Sequence, residues 1–109
     1  MTGYEHEIVS EEVREWILEE ADVRTSEEDP WTSKNELRQQ VVKTDLDVDA
    51  FKETVRALIE RDHLFSWHGL LALQTEESLR AVIENETGTG YTRMILVGKA
   101  NRALEEVGE

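Results

Sequence analysis

The stretch FKETVRALIERDHLFSWHGLLALQTEE, residues 51–77, holds the clearest structural signals in this chain. Its first half continues a series of apolar residues spaced as on one face of a helix: Val48, Phe51, Val55, Leu58 and Ile59. A period of 3.6 residues with the apolar positions on one side is typical of an amphipathic helix that buries that side. The pattern predicts a helix over about 48–61, with Asp47 as its N-cap.

The second half of the stretch predicts a β-hairpin. Two short apolar runs flank His68-Gly69, and the glycine can take the positive φ that a two-residue turn needs. Pairing across this turn sets Trp67 opposite Leu70 and Leu64 opposite Leu73. The side chains expected to face inward are Leu64, Leu71 and Leu73.

Two further helices are predicted before this stretch. Ser10 is placed to cap a helix over about 11–21, where apolar residues recur at helical spacing. Ser33 and Glu36 form a capping box, in which the serine bonds a backbone N–H three residues on and the glutamate reaches back. That motif predicts a second helix over about 34–42.

The chain divides into three parts on this interpretation. Residues 1–9 form an N-terminal tail, residues 10–75 the helices and hairpin, and residues 76–109 a helical C-terminal extension. In the extension, Thr75 is an N-cap for a helix that ends near Glu86, before a glycine-containing linker.

The last segment carries apolar residues on two sides. A wide helical stripe is made of Leu96, Val97, Ala100, Ala103, Leu104 and Val107. Tyr91, Met94 and Ile95 fall on a different side, so the first turns of a helix here would be apolar on two faces. The run 91–97 also fits a strand, and both interpretations stay open.

The composition is strongly acidic. The chain has 25 acidic and 12 basic residues in 109, a net charge of −13, and it has no cysteine. Such a balance, with few lysines, is typical of proteins that work in molar salt, where self-repulsion is screened. An acidic partner-binding domain from an ordinary cytoplasm is the alternative. The N-terminus has no basic or apolar leader and no segment suits a membrane span, so we expect a cytoplasmic protein without membrane contact.

The order of elements over residues 10–74 resembles the winged helix-turn-helix family of small prokaryotic and archaeal transcription regulators. Residues 51–77 look like the third helix of such domains running into the wing, although Asp62 stands where glycine is common. The fold class expected is mainly α with a small β-hairpin, an α+β winged helix-turn-helix with a C-terminal helical extension. The resemblance implies a DNA-binding transcription regulator that acts as a dimer.

The charge distribution supports a DNA contact in the presumed helix-turn-helix. Residues 33–61 hold six basic and six acidic residues, whereas residues 1–30 hold two basic and eleven acidic ones. Duplex DNA is the partner expected, and phosphate contacts are expected from Lys34, Arg38, Lys43 and Lys52, with Ser33 beside them. Base contacts are expected from Asp49, Ala50, Glu53 and Arg56. Trp67 and His68, at the hairpin tip, are expected to touch the backbone or a groove edge, with packing of Trp67 on its own domain or at a dimer contact as the alternative.

A second hypothesis uses the same helix differently. Projection at 100° per residue puts Asp49, Glu53, Arg56 and Glu60 opposite the apolar stripe, flanked by alanines. This face is mostly acidic, and phosphates would repel it unless salt screens the charge. The alternative function is therefore a winged-helix protein–protein interaction module that docks its acidic face on a basic partner.

The apolar side chains of the C-terminal segment are expected to be buried against another surface, because monomeric proteins rarely expose an apolar patch of this size. The segment either packs back on the first helix or pairs with a second copy, and the resemblance favours a homodimer. The residues expected at that interface are Tyr91, Met94, Ile95, Leu96, Val97, Ala100, Leu104 and Val107.

No enzymatic activity, metal or cofactor is expected from the sequence. The chain lacks the nucleophile, zinc-protease, phosphate-loop and dinucleotide motifs, and without cysteine only scattered carboxylates remain. His63 and His68 are five residues apart across the hairpin with no third ligand beside them in sequence.

Overall fold

The computed structural model describes residues 5–86, 88 and 90–107. Over these residues the order of elements is α1 (Glu11–Arg24), β1 (Thr32–Ser33), α2 (Lys34–Val41), α3 (Asp49–Glu60), β2 (Leu64–Trp67), β3 (Leu70–Leu73), α4 (Glu76–Glu84) and α5 (Tyr91–Val107). This is an α+β fold, mostly helical with one small antiparallel sheet, as the sequence predicts, and its arrangement is consistent with a winged helix. None of the described helices is both long and apolar enough to cross a membrane.

The helix boundaries follow the capping signals. Ser10, Ser33 and Thr75 each accept a backbone N–H three residues further on, at 3.2–3.3 Å. Asp47 differs slightly: Val48 is at the cap position of α3, and the Asp47 carboxylate accepts the N–H of Asp49 at 3.0 Å. The carboxylate thus still satisfies one of the unpaired N–H groups at the helix start.

The hairpin has the predicted register and one unforeseen neighbour. Leu64 pairs with Leu73 and Trp67 with Leu70. Both residues of the turn, His68 and Gly69, have positive φ, at 49° and 80°. The third strand, β1, pairs with β3 and gives the strand order β1-β3-β2. Two residues show no alternation, so β1 carries no sequence signal of its own.

The first core fills the space between α1, α2, α3 and one face of the hairpin. Its buried members are Val13, Ile17, Leu37, Val41, Ala50, Phe51, Val55, Leu58, Leu64 and Leu71. Phe51 lies at the centre, with the Trp16 ring edge-on at a centroid distance of 6.4 Å. Leu73 packs against this core only partly buried.

A second core covers the opposite face of the same hairpin, which the sequence does not predict. Its buried members are Phe65, Ala72, Leu79, Val82, Leu96, Ala100 and Ala103. Trp31, from the loop before β1, packs on this core with its ring 6.0 Å from that of Phe65. The hairpin is therefore a shared layer between two helical layers.

Residues 91–107 are helical, so the strand interpretation of 91–97 is wrong. The expectation that this helix packs back on the first helix is wrong, since α5 lies against α4 and shares the second core with the hairpin; pairing with a second copy stays a prediction. Leu96 and Ala100, expected at a dimer interface, are 2% and 0% exposed inside their own chain. Their stripe is the buried side of α5.

Candidate nucleic-acid interface

Helix α2 and the hairpin tip are fastened to each other. The N–H of Lys34, the first residue of α2, donates to the carbonyl of Gly69 in the hairpin turn at 3.0 Å. Ser33, just before it, pairs with Leu70 in the sheet and caps α2 through its hydroxyl. The start of α2 and the turn of the hairpin therefore lie together at one end of the sheet.

The turn between α2 and α3 is held by Thr44. Its hydroxyl donates to the carbonyl of Val41 at 2.6 Å and accepts the N–H of Leu46 at 3.1 Å. Lys43 is exposed beside it. These bonds fix the angle at which α3 leaves α2, which is what a helix-turn-helix needs to present one helix to a groove.

Helix α3 shows solvent only a narrow strip. Asp49, Lys52 and Arg56 are exposed, and Glu53 is half-buried between them. The buried side is wide and consists of Ala50, Phe51, Thr54, Val55, Ala57 and Leu58. Ala50, expected to touch a base, is 4% exposed and belongs to the first core, so that expectation is wrong.

The Glu60 end of the predicted acidic face is partly covered by the N-terminal segment, and the Glu60 side chain is 25% exposed. Its carboxylate accepts the backbone N–H groups of Glu5 and His6, at 2.9 and 3.4 Å, and contacts the His6 ring nitrogen Nδ1. The Arg61 guanidinium donates to the His6 carbonyl at 3.1 Å. The N-terminal segment is thus strapped over the end of α3, and the rest of the strip carries two carboxylates, Asp49 and Glu53, and two cations, Lys52 and Arg56.

A surface cleft of about 450 Å³ lies between α2 and α3. It brings together three of the residues predicted for DNA contact, Arg38 from α2 and Asp49 and Lys52 from α3. The exposed apolar side chains of Val42 and Val48 form part of its wall. The sequence places these residues on two helices; their meeting at one cleft comes from the fold.

The basic side chains around the α2–α3 cleft form no ion pairs with other described residues. Within residues 5–86, 88 and 90–107, the ion pairs involve His6, Arg14, Arg24, Arg61 and Arg80 as the basic partners. Lys34, Arg38, Lys43, Lys52 and Arg56 form none there, and all except the half-buried Lys34 are exposed. These basic side chains are therefore available to pair with an anion from solution.

The two hairpin-tip residues have different surroundings. His68 is exposed, whereas Trp67 is half-buried against the second core. The Nζ of Lys99 lies 5.5 Å from the centre of the Trp67 ring, a cation–π distance. Of the two interpretations of Trp67, packing on its own domain is confirmed, since its ring lies against the second core.

The residues predicted for a dimer divide by burial. Leu96 and Ala100 are buried, while Val97, Leu104 and Val107 are half-buried. Leu104 and Val107 contribute to the second core. Tyr91, Met94 and Ile95 are exposed. Only these last three offer an open apolar surface to a second copy.

One cluster of metal-ligating groups emerges that the sequence does not reveal. Donor atoms of Glu5, His6 and Glu60 lie within 4.8 Å of one another, among the described residues. Their separation by more than fifty positions leaves no local spacing to detect. The hydrogen bonds between them fasten the N-terminal segment to α3, and this fastening accounts for the cluster.

No known family, curated protein or solved structure shows significant similarity to this chain. The case for a function therefore depends on the geometry and charge of the chain itself.

Proposed function

We propose that this chain is a DNA-binding transcription regulator of the winged-helix type, which acts as a dimer in the cytoplasm and has no catalytic role. The observation that supports the proposal is the α2–α3 surface, where unpaired cations from two helices meet at one cleft beside a narrow exposed strip of α3. In a chain of net charge −13, this is a surface that a phosphate backbone can approach.

The roles follow from position. Lys34, Arg38 and Lys43 surround the strip and Lys52 lies on it; all four bind phosphates, which fix the register of the protein on the duplex without reading its sequence. Arg56, Asp49 and Glu53 lie on the strip itself. Arginine pairs with guanine and carboxylates accept from cytosine N4, so these three side chains read base edges in the major groove.

Binding is tested by titrating fluorescent random duplexes with the folded protein over a KCl series from dilute to molar. Four phosphate contacts per protomer predict a slope of log K against log salt of about −3.6 per protomer, since each contact contributes about −0.9. Enrichment of bound sequences from the same pool then identifies the preferred site. Absence of duplex binding at every salt concentration would overturn the proposal.

Substitutions separate the two kinds of contact. Arg38→Ala should weaken binding to every duplex alike and make the salt slope shallower by about 1. Arg56→Ala should cost about 1–3 kcal/mol on the preferred site and much less on the random pool. Arg80→Ala is the matched control, because Arg80 is an exposed arginine on α4 that pairs with Glu76. Equal losses from Arg80→Ala and Arg38→Ala would mean that the contact is general charge attraction.

The interaction-module hypothesis gives a different pattern with the same variants. There, Glu53→Lys abolishes capture of a basic protein partner while Arg38→Ala has little effect. On the α3 strip Lys52 and Arg56 balance the charges of Asp49 and Glu53, and the Glu60 carboxylate is hydrogen-bonded to residues 5 and 6, so the strip lacks the acidic excess that such docking requires. We therefore rank DNA binding first.

A further inference from the structure

The exposed side of α5 differs from the rest of the surface. Tyr91, Met94 and Ile95 are 74%, 64% and 42% exposed and lie at i, i+3 and i+4, the spacing of one helical face. Gly98 continues this face one turn on, and a side chain there would meet no atom within 4 Å. Further along the same face, Arg102 and Glu105 are charged and exposed. The apolar part is thus confined to the first two turns.

The charge around this face is also exceptional. Residues 87–104 contain no Asp or Glu and three basic residues, and this is the longest acid-free run in a chain with 25 acidic residues. Two molecules of net charge −13 repel each other over most of their surfaces. Repulsion is weakest where both present the first two turns of α5, which carry no carboxylate, so this is the part of the surface on which two copies can approach; Glu86, bonded to Gly88, and Glu105 are the carboxylates at its two ends.

The face has both a projection and a recess. A recess of about 390 Å³ beside the start of α5 is lined by Gly88, Gly90, Arg93, Met94 and Val97. Tyr91, the most exposed of the three apolar residues, directly follows Gly90 of this lining in the chain. A two-fold contact uses the same patch on both subunits, so each copy can insert its Tyr91 beside the other's Met94.

We infer that the first two turns of α5, residues 91–98, form a self-complementary interface with a second copy of this chain. The inference deepens the proposed function, which calls for a dimer, and replaces the broader stripe expected from sequence. Eight helical residues rise only about 11 Å. The contact is therefore smaller than a standard interface of about 800 Å² per partner, and the dimer should be concentration-dependent and favoured by salt.

The first test is sedimentation equilibrium from about 1 to 200 µM protein in dilute and molar KCl, without DNA. We expect a monomer–dimer equilibrium whose dissociation constant falls at least tenfold between the two salts. Met94→Glu and Gly98→Glu should each leave a monomer over the whole range. Val23→Glu is the control, because Val23 is also an exposed apolar residue but lies on α1. Thermal melts establish that each variant is folded.

Cross-linking gives an independent measurement, because the chain has no cysteine of its own. Under mild oxidation, Met94→Cys should form a covalent dimer at concentrations where Val23→Cys remains monomeric. A monomer at every concentration and salt, or a dimer that survives both glutamate substitutions, would overturn the inference. DNA titration of the parent protein and of Met94→Glu keeps the two proposals distinguishable. If Met94→Glu is a folded monomer that still binds duplex weakly, the DNA-binding function is retained. If Met94→Glu loses dimerisation but the parent binds no DNA, the proposed function is contradicted and the interface is not.

Discussion

The two faces of the β2–β3 hairpin carry cores of different composition. One of the ten buried members of the first core is alanine, against three of the seven in the second. The second core is completed by large side chains that are only half-buried, such as Trp31, Trp67 and Leu104. Small buried residues bring helices close but remove less apolar area from water. The first core therefore supplies most of the stability, and the second leaves apolar surface at its edge.

This difference explains where the two candidate interfaces lie. Helix α3 buries a wide arc and shows a charged strip, so the exposed surface of this helix is polar, and single valines such as Val42 and Val48 are exposed beside it. Helix α5 buries a narrow arc of Leu96, Ala100 and Ala103, and its opposite side remains apolar at one end. Helix α3, over the first core, therefore presents charged side chains to a partner, whereas helix α5, over the second core, presents apolar side chains.

The largest effect on stability is expected from the centre of the first core. Phe51→Ala removes a fully buried ring that packs against Trp16, and should cost about 3–5 kcal/mol through lost burial and the cavity left behind. Urea unfolding at fixed salt measures it. Val23→Ala, at an exposed position, should change the free energy of unfolding by less than about 0.5 kcal/mol. A loss below about 1 kcal/mol for Phe51→Ala would contradict the assignment of this core.

A smaller loss is expected from the second core. Leu96 is 2% exposed, but it belongs to a core in which three of the seven buried members are alanine, so Leu96→Ala should cost about 2 kcal/mol, the low end for a buried leucine. Measurement at low protein concentration keeps dimerisation out of the comparison. If Leu96→Ala costs as much as Phe51→Ala, the two cores contribute equally and the contrast between them fails.

Salt should act mainly on the acidic N-terminal part. Residues 1–30 carry a net charge of −9, and their repulsion is screened as KCl rises. We expect the melting temperature to increase by about 5 °C or more between dilute and molar KCl, which corresponds to roughly 1 kcal/mol in a domain of this size. NaCl and KCl should act alike if screening is the cause. A constant or falling melting temperature would remove the interpretation that the composition is an adaptation to high salt.

A small gain is expected from one buried hydroxyl on α3. Thr54 is fully buried, and its Oγ1 has no hydrogen-bond partner among the described residues. Thr54→Val replaces the hydroxyl by a methyl group of similar size and should stabilise the protein by about 1 kcal/mol. Thr44→Val is the matched control, because Thr44 makes two hydrogen bonds in the α2–α3 turn and its loss should destabilise. A destabilising Thr54→Val would show that the hydroxyl is satisfied in solution.

The sequence predicts most of the elements because their signals are local. Capping residues and the His68-Gly69 turn act within a few positions, and the helix starts and hairpin register are confirmed accordingly. What it misses depends on distant partners. Ala50 lies on the edge of the α3 stripe, and only packing decides that it is buried. The covering of Glu60 by residues 5–6 joins segments more than fifty positions apart, and no local pattern encodes it.

The candidate site, like the fold, can be predicted from the sequence only in part. The identity of its cations can be read from sequence, and the fold decides which of them meet. Arg38 and Lys52 come together only because Thr44 sets the turn between their helices. Phe65 and Ala72 alternate with the inward-facing leucines and so look solvent-facing until α4 and α5 are known to cover them.

The shared hairpin determines how this chain can be divided and how it opens. A cut after residue 75 would uncover Phe65 and Ala72 on one fragment and leave α4 and α5 without the sheet on the other. Neither fragment is a self-sufficient module. Because a core covers each face of the hairpin, the amide hydrogens that β2 and β3 donate to each other are expected to exchange only when one of these cores opens, whereas the outer edge of β2 is unpaired among the described residues. The hydrogen bonds between these two strands are thus expected to be the slowest-exchanging part of the molecule and the element on which its cooperativity depends.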